Sequence, residues 1–130
     1  MTSNQPLLVT TAAVGPLTTR VVVDGTSPLI ESLGDISLNG PSGVVFNAAS
    51  NDLRCNFAVL GSGDVIETHT NVEVDVLILV VSGSGVLTVD GQEHVLEADV
   101  LAVVPAGCER KIVATSRLVY HSIHLSLIHI

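Results

Sequence analysis

The chain has 130 residues, 47% apolar and only 14% charged, so it is long enough for one domain with a hydrophobic core and too apolar to be disordered. Lys and Arg number 5 against 13 Asp and Glu, and the resulting net charge of -8 argues against nucleic acid as a partner. The sequence has no apolar run long enough to span a membrane and no signal-peptide pattern at its start, so we expect a cytoplasmic protein without membrane contacts.

Short apolar runs rich in Val follow one another along the chain, separated by Gly, Pro, Asn, Asp and Ser. This spacing is typical of an all-β sandwich or barrel. The runs occupy residues 20–25, 42–48, 56–61, 74–83, 85–91, 99–105, 110–116 and 117–130. We expect a single domain, in which residues 1–50 form an N-terminal arm and the first strands of the barrel, and residues 51–130 form its core.

The turns around residues 83–91 are the clearest in the sequence. Gly83 and Gly85 separate two strands, and Asp90-Gly91 follows shortly after. Asp-Gly favours a two-residue hairpin, because both residues tolerate a positive φ. We therefore predict a strand on each side of Asp90-Gly91.

The run VDVLILVV at 74–81 is apolar at consecutive positions. One face of such a strand meets the barrel interior, and the other also has to be covered. We predict a two-fold homodimer that covers it. The alternative is a monomer in which the N-terminal arm covers this face.

Four polar side chains occupy alternate positions just before that run: His69, Asn71, Glu73 and Asp75. If the strand is regular, all four share one face. Such a row forms either a solvated edge or the lining of a polar pocket, and the spacing alone does not decide between them.

The same stretch resembles the first motif of the cupin family, which is Gly, five residues, His-x-His, three or four residues, Glu, six residues and Gly. The corresponding positions here are Gly63, His69, Asn71 in place of the second His, Asp75 or Val76 in place of the Glu, and Gly83.

The second cupin motif is Gly, five residues, Pro-x-Gly, two residues, His, three residues and Asn. Its Pro-x-Gly is present at 105–107, whereas Asp99, Arg110 and Ala114 replace the Gly, the His and the Asn. Residues 57–112 thus resemble a small single-domain cupin, which implies a jelly-roll β-barrel. The resemblance implies no single activity, since cupins carry many.

Cupins that bind a metal usually hold it with three His and one Glu, so the resemblance implies a degenerate metal site here. Arg110 cannot ligate a metal and would repel one. We therefore favour a barrel without a metal or other cofactor. The alternative is a divalent metal held by His69, Asp75 and either His121 or His124, which a regular strand would place on opposite faces.

Without a metal, the same residues suit a small polar or anionic molecule. Arg110 would anchor a carboxylate through its planar guanidinium, and His69 could act as an acid or base together with Glu73. An internal ion pair of Arg110 with Asp75 or Glu73 is the structural alternative. The side chains expected to contact the ligand are His69, Asn71, Asp75, Arg110 and Tyr120.

Three functions remain open at this point. The first is a binding module for a small molecule inside a metal-poor barrel. The second is an enzyme, either a metal-independent isomerase or lyase, or a metal-dependent cupin enzyme such as an oxygenase or isomerase. The third is a structural or regulatory dimer without a ligand.

Overall fold

The computed structural model describes residues 6–10, 17–22, 27–34 and 42–126. Its regular elements are β-strands, and none of the described residues belongs to a helix that is long and apolar enough to cross a membrane. The strands within these ranges are β1 (Pro6–Thr10), β2 (Leu17–Val22), β3 (Gly43–Ala49), β4 (Leu53–Leu60), β5 (Val65–Thr70), β6 (Val76–Ser82), β7 (Ser84–Val89), β8 (Gln92–Glu97), β9 (Leu101–Val104), β10 (Glu109–Ala114) and β11 (Leu118–Leu125).

The strands form two sheets. The large sheet has the order β1-β2-β3-β4-β11-β6-β9, and the small sheet has the order β5-β10-β7-β8. Neighbouring strands are antiparallel except for β2 and β3, which run parallel. This arrangement confirms the predicted all-β, jelly-roll fold, and it places β1–β3 in the same sheet as the later strands.

The main core lies between the two sheets. Leu60, Ile78 and Leu118 of the large sheet and Leu96 of the small sheet are at most 1% exposed. Burying one such side chain stabilises the fold by about 1.5–3 kcal/mol. Strand β6 shows the alternation that fills this core, because its side chains at 76, 78 and 80 are buried while those at 79 and 81 are exposed.

A second apolar cluster lies on the other face of the large sheet. Phe46, Phe57, Val59 and Val119 are buried there beneath Leu29 and Leu33. Residues 27–34 therefore cover the part of this outer face that belongs to β3, β4 and the start of β11.

Two turns require glycine for identifiable reasons. Asp90 and Gly91 have φ values of 46° and 83°, which confirms the two-residue hairpin between β7 and β8. Gly83 has a φ of 85°, and a Cβ at this position would lie 1.7 Å from the carbonyl oxygen of Arg117. Only glycine fits where the chain crosses from β6 in the large sheet to β7 in the small sheet.

The segment at 69–75 differs from the sequence prediction. Strand β5 ends at Thr70, and residues 71–75 form a loop before β6 begins at Val76. A regular strand through all four polar positions is therefore wrong. Residues 23–25 of the first predicted run and 127–130 of the last one lie outside the described residues.

Candidate functional site

A cavity of about 140 Å³ opens between the two sheets, next to the main core. Its apolar lining consists of one Ala and three Ile side chains. Five polar side chains from β4, β5, β10 and β11 complete the lining: Asn56, His69, Arg110, Tyr120 and Ser122. Three of the residues predicted from the sequence, namely His69, Arg110 and Tyr120, therefore meet at one cavity.

A β-bulge in β5 brings His69, whose side chain is solvent-exposed, into the lining of this cavity. Ile112 of β10 pairs with Ile66, and Arg110 pairs with His69, so three steps along β5 correspond to two along β10. In a regular strand Ile66 and His69 would face opposite sides of the sheet, but the extra residue places both on the interior side. His69 and Arg110 are consequently direct cross-strand neighbours.

One ring nitrogen of His69 forms a hydrogen bond with the backbone of β5. Its Nδ1 lies 2.9 Å from the carbonyl oxygen of Glu67. Because a carbonyl oxygen only accepts hydrogen bonds, Nδ1 carries the hydrogen and donates it. In the neutral ring, Nε2 then keeps a lone pair that can accept a hydrogen bond or a proton.

Arg110 and Tyr120 set the electrostatics of the cavity. Burial lowers the pKa of the half-buried Arg110, although a guanidinium remains charged at any physiological pH. Burial also raises the pKa of Tyr120 to about 12, against an opposing influence of the nearby Arg110. Within the described ranges no carboxylate forms an ion pair with Arg110. The cavity thus holds a positive charge and a neutral phenol that can donate a hydrogen bond.

The loop at 71–75 supports a neighbouring turn and does not line the cavity. A carboxylate oxygen of Asp75 accepts a hydrogen bond of 2.8 Å from the backbone N–H of Ala106. The N–H of Gly107 donates to the carbonyl oxygen of Asn71 at 2.9 Å. Glu73 is exposed, and its N–H donates to the Asn71 side chain. The internal ion pair of Arg110 with Asp75 or Glu73 is therefore not formed.

The two histidines of β11 also lie away from the cavity lining. The His121 ring packs on Phe57 in the outer cluster, with ring centroids 4.8 Å apart, and burial lowers its pKa. His124 lies two residues after Ser122 and therefore shares its side of the strand, opposite to His121. It does not line the cavity, however, and its Nδ1 lies 2.7 Å from the carbonyl oxygen of Leu125.

These placements decide whether the residues suit a metal of the kind cupins hold. No three His, Cys, Asp or Glu side chains within residues 27–34 and 42–126 come together as a ligand group. The cavity supplies one imidazole beside a guanidinium, and a divalent cation would be repelled by that neighbour. The described residues of this cavity do not offer a ligand set that fits such a metal.

Sequence reasoning missed two side chains of the cavity, Asn56 and Ser122. They are cross-strand partners on β4 and β11, and Asn56 accepts a hydrogen bond from Asn47 on β3. The alternation of side chains along a strand could have identified both. Ser122 lies two residues after Tyr120, and Asn56 lies two residues before the buried Ala58, so each shares the inward face of its strand.

A sequence model of the cupin domain matches residues 56–124. The chain belongs to the cupin family. This match spans β4 to β11, and so it includes every side chain that lines the cavity. No curated protein matches the chain.

Solved structures share the cupin fold at low sequence identity. BH2720 from Bacillus halodurans has a TM-score of 0.64 at 16% identity, covering 78% of this chain and 83% of that one. A cupin-2 domain containing protein from Shewanella frigidimarina has a TM-score of 0.54 at 22% identity, covering 61% and 76%. Salicylate 1,2-dioxygenase from Pseudoaminobacter salicylatoxidans, in adducts with gentisate, has a TM-score of 0.54 at 24% identity, covering 58% of this chain and 20% of that one. At these identities the likeness shows the fold alone.

Proposed function

We propose that this cupin binds a small carboxylate inside its barrel, without a catalytic metal. The observation that carries the proposal is the half-buried guanidinium of Arg110, which lines a polar cavity and has no carboxylate partner among the described side chains. A partly desolvated charge is costly unless it is paired. A bound carboxylate would supply that partner through two parallel hydrogen bonds.

The other polar side chains suit the remaining atoms of such a ligand. Tyr120, whose pKa burial raises to about 12, is protonated at neutral pH and can donate its O–H to a ligand oxygen. Asn56 and Ser122 offer donors and acceptors on the large-sheet side. His69 can accept from a ligand hydroxyl through Nε2, or bind as a cation against the negative charge.

The volume of the cavity limits the size of the ligand. Pockets for drug-sized molecules measure about 300–1,000 Å³. The space here is about 140 Å³, about half the lower end of that range. We therefore infer an acid of about two to four carbons, with apolar atoms against the Ile side chains.

Matched acids and amides test this proposal directly. Thermal unfolding is measured with acetate, glycolate, malonate or succinate, and with acetamide or glycolamide at equal concentration and ionic strength. A carboxylate at about 100 times its Kd should raise the unfolding free energy by about 2.7 kcal/mol, and the amides should have no effect. Equal stabilisation by acids and amides, or none by any acid at the highest soluble concentration, would overturn it.

A further inference from the structure

The inward face of the large sheet carries a basic pair just beyond the cavity. Arg54 of β4 and His124 of β11 are direct cross-strand partners, and each is two residues from the pair formed by Asn56 and Ser122. The pairing of β4 with β11 has no register shift, so alternation places Arg54 and His124 on the same face as Asn56 and Ser122. We call Arg54 and His124 the basic rim.

The basic rim and Arg110 approach the same space from opposite sheets. Two residues of a strand span about 7 Å, so the basic rim directly follows the cavity along β4 and β11. Arg110 lines the cavity from β10 of the small sheet. Packed sheets lie about 10 Å apart, and the long side chains of two arginines that face each other across this gap can contact the two ends of one small molecule.

Arg54 is half-buried and keeps donors that a ligand can use. Its Nη1 donates to the backbone carbonyl oxygens of Ser50 at 2.8 Å and Leu53 at 3.2 Å, which hold the guanidinium beside the turn between β3 and β4. Carbonyl oxygens carry no net charge, and the N–H groups of Nε and Nη2 can still donate to an anion. On His124, Nδ1 lies against the Leu125 carbonyl oxygen, so Nε2 is the nitrogen that can take up a proton and donate it.

The charges of the chain indicate what kind of molecule this arrangement recognises. The chain has five Lys and Arg against 13 Asp and Glu, and none of these acidic residues lies in a described strand of the large sheet. A net charge of -8 repels a dianion unless positive groups are concentrated where it binds. Arg54 and Arg110 provide two such groups on inward faces, beside one cavity.

We propose that the ligand is a small dicarboxylate, with one carboxylate on Arg110 and the other on the basic rim. The proposal rests on the carboxylate site described under the proposed function and specifies which acid it prefers. Each arginine can bind a carboxylate through parallel N–H groups of its planar guanidinium. A monocarboxylate can use only one of the two arginines, and this difference in contacts is the source of the specificity.

The dimensions favour a four-carbon acid. In extended succinate, three C–C bonds of about 1.5 Å separate the two carboxyl carbons by roughly 4 Å. The cavity of about 140 Å³ holds the first carboxylate and the methylene groups. The second carboxylate then lies past Asn56 and Ser122, on the side of the basic rim.

Isothermal titration with succinate and succinamate at equal ionic strength tests the proposal, because the two molecules differ only in one carboxylate. One hydrogen bond to a charged group changes a Kd about 10- to 150-fold, and the half-buried basic rim belongs at the lower end, so succinate should bind about 10 times more tightly. Arg54→Met should remove this preference and leave the Kd of succinamate unchanged. Arg54→Lys, which keeps the charge but loses the planar fork, should retain part of it. Lys111→Met is the control, because it removes one positive charge from the outward side of β10 and should keep the full preference. Circular dichroism verifies that each variant is folded.

Three outcomes would overturn the dicarboxylate. One is an equal Kd for succinate and succinamate, both weakened by Arg110→Met, which would leave the carboxylate site in place without a second contact. Another is a preference for succinate that survives Arg54→Met, which would place the second contact away from the basic rim. The third is the absence of binding by either molecule, which would overturn the carboxylate site as well.

Discussion

Replacing Arg110 by methionine separates what the guanidinium costs the fold from what it contributes to binding. Methionine keeps an unbranched apolar stem and removes a half-buried charge that has no ion pair within the described ranges. Replacing buried charges by apolar groups is neutral or stabilising by about 1–4 kcal/mol, and a half-buried group belongs at the lower end. We expect Arg110→Met to raise the unfolding free energy by up to about 1 kcal/mol, or the melting temperature by about 4 °C.

The same substitution should weaken carboxylate binding. Methionine removes both hydrogen bonds to the carboxylate. A hydrogen bond to a charged group contributes about 1.5–3 kcal/mol, so the loss of even one of them raises the Kd about 10- to 150-fold. Isothermal titration of the most stabilising acid from the panel measures this change. Lys111→Met is the matched control, because Lys111 follows on the same strand and alternation turns it outward. A large loss of stability in Arg110→Met, together with unchanged affinity, would refute the reasoning.

Three further predictions concern single residues. Gly83→Ala should lower the unfolding free energy by more than about 4 kcal/mol in chemical denaturation, because the added Cβ meets the carbonyl oxygen of Arg117. Gly107→Ala, with a similar φ but open space around it, should lower it by about 1 kcal/mol. Equal losses of stability in the two variants would contradict the predicted clash at Gly83. Tyr120 is the single tyrosine, so absorbance should show its ionisation near pH 12. Because the folded state holds this proton more tightly, stability should fall by roughly 2 kcal/mol from pH 10 to 12, and Tyr120→Phe should flatten that decline. Asp75→Asn should keep carboxylate affinity and cost at most about 1 kcal/mol in thermal unfolding, since an amide oxygen can still accept the backbone hydrogen bond; a large loss of affinity would place Asp75 in the site.

The parts of the fold that were predictable depend on local rules. The hairpin at Asp90-Gly91 follows from the φ preferences of two adjacent residues. The alternation in β6 follows from the period of a strand, which divides its apolar run into a buried and an outward set. Neither the hairpin nor the alternation depends on distant parts of the chain.

The candidate site depends on the pairing of strands that are distant in the sequence. For this reason only some of its residues could be predicted. The residue pair His69 and Arg110 followed from the cupin motif, but the bulge that aims His69 inward is a mismatch in register between β5 and β10. No local pattern marks it. The end of β5 at Thr70 likewise depends on the hydrogen bonds that tie the following loop to the Pro105–Gly107 turn.

His69 and Arg110 line one cavity, which we propose accepts a carboxylate. NMR of ¹⁵N-labelled protein, observing the His ring and Arg Nε signals during a titration with malonate, tests it most directly. Saturable shifts of the His69 and Arg110 signals are expected, with the signal of His94, which does not line this cavity, unchanged. Equal, non-saturating shifts of all histidines, or shifts confined to residues outside the cavity, would contradict it.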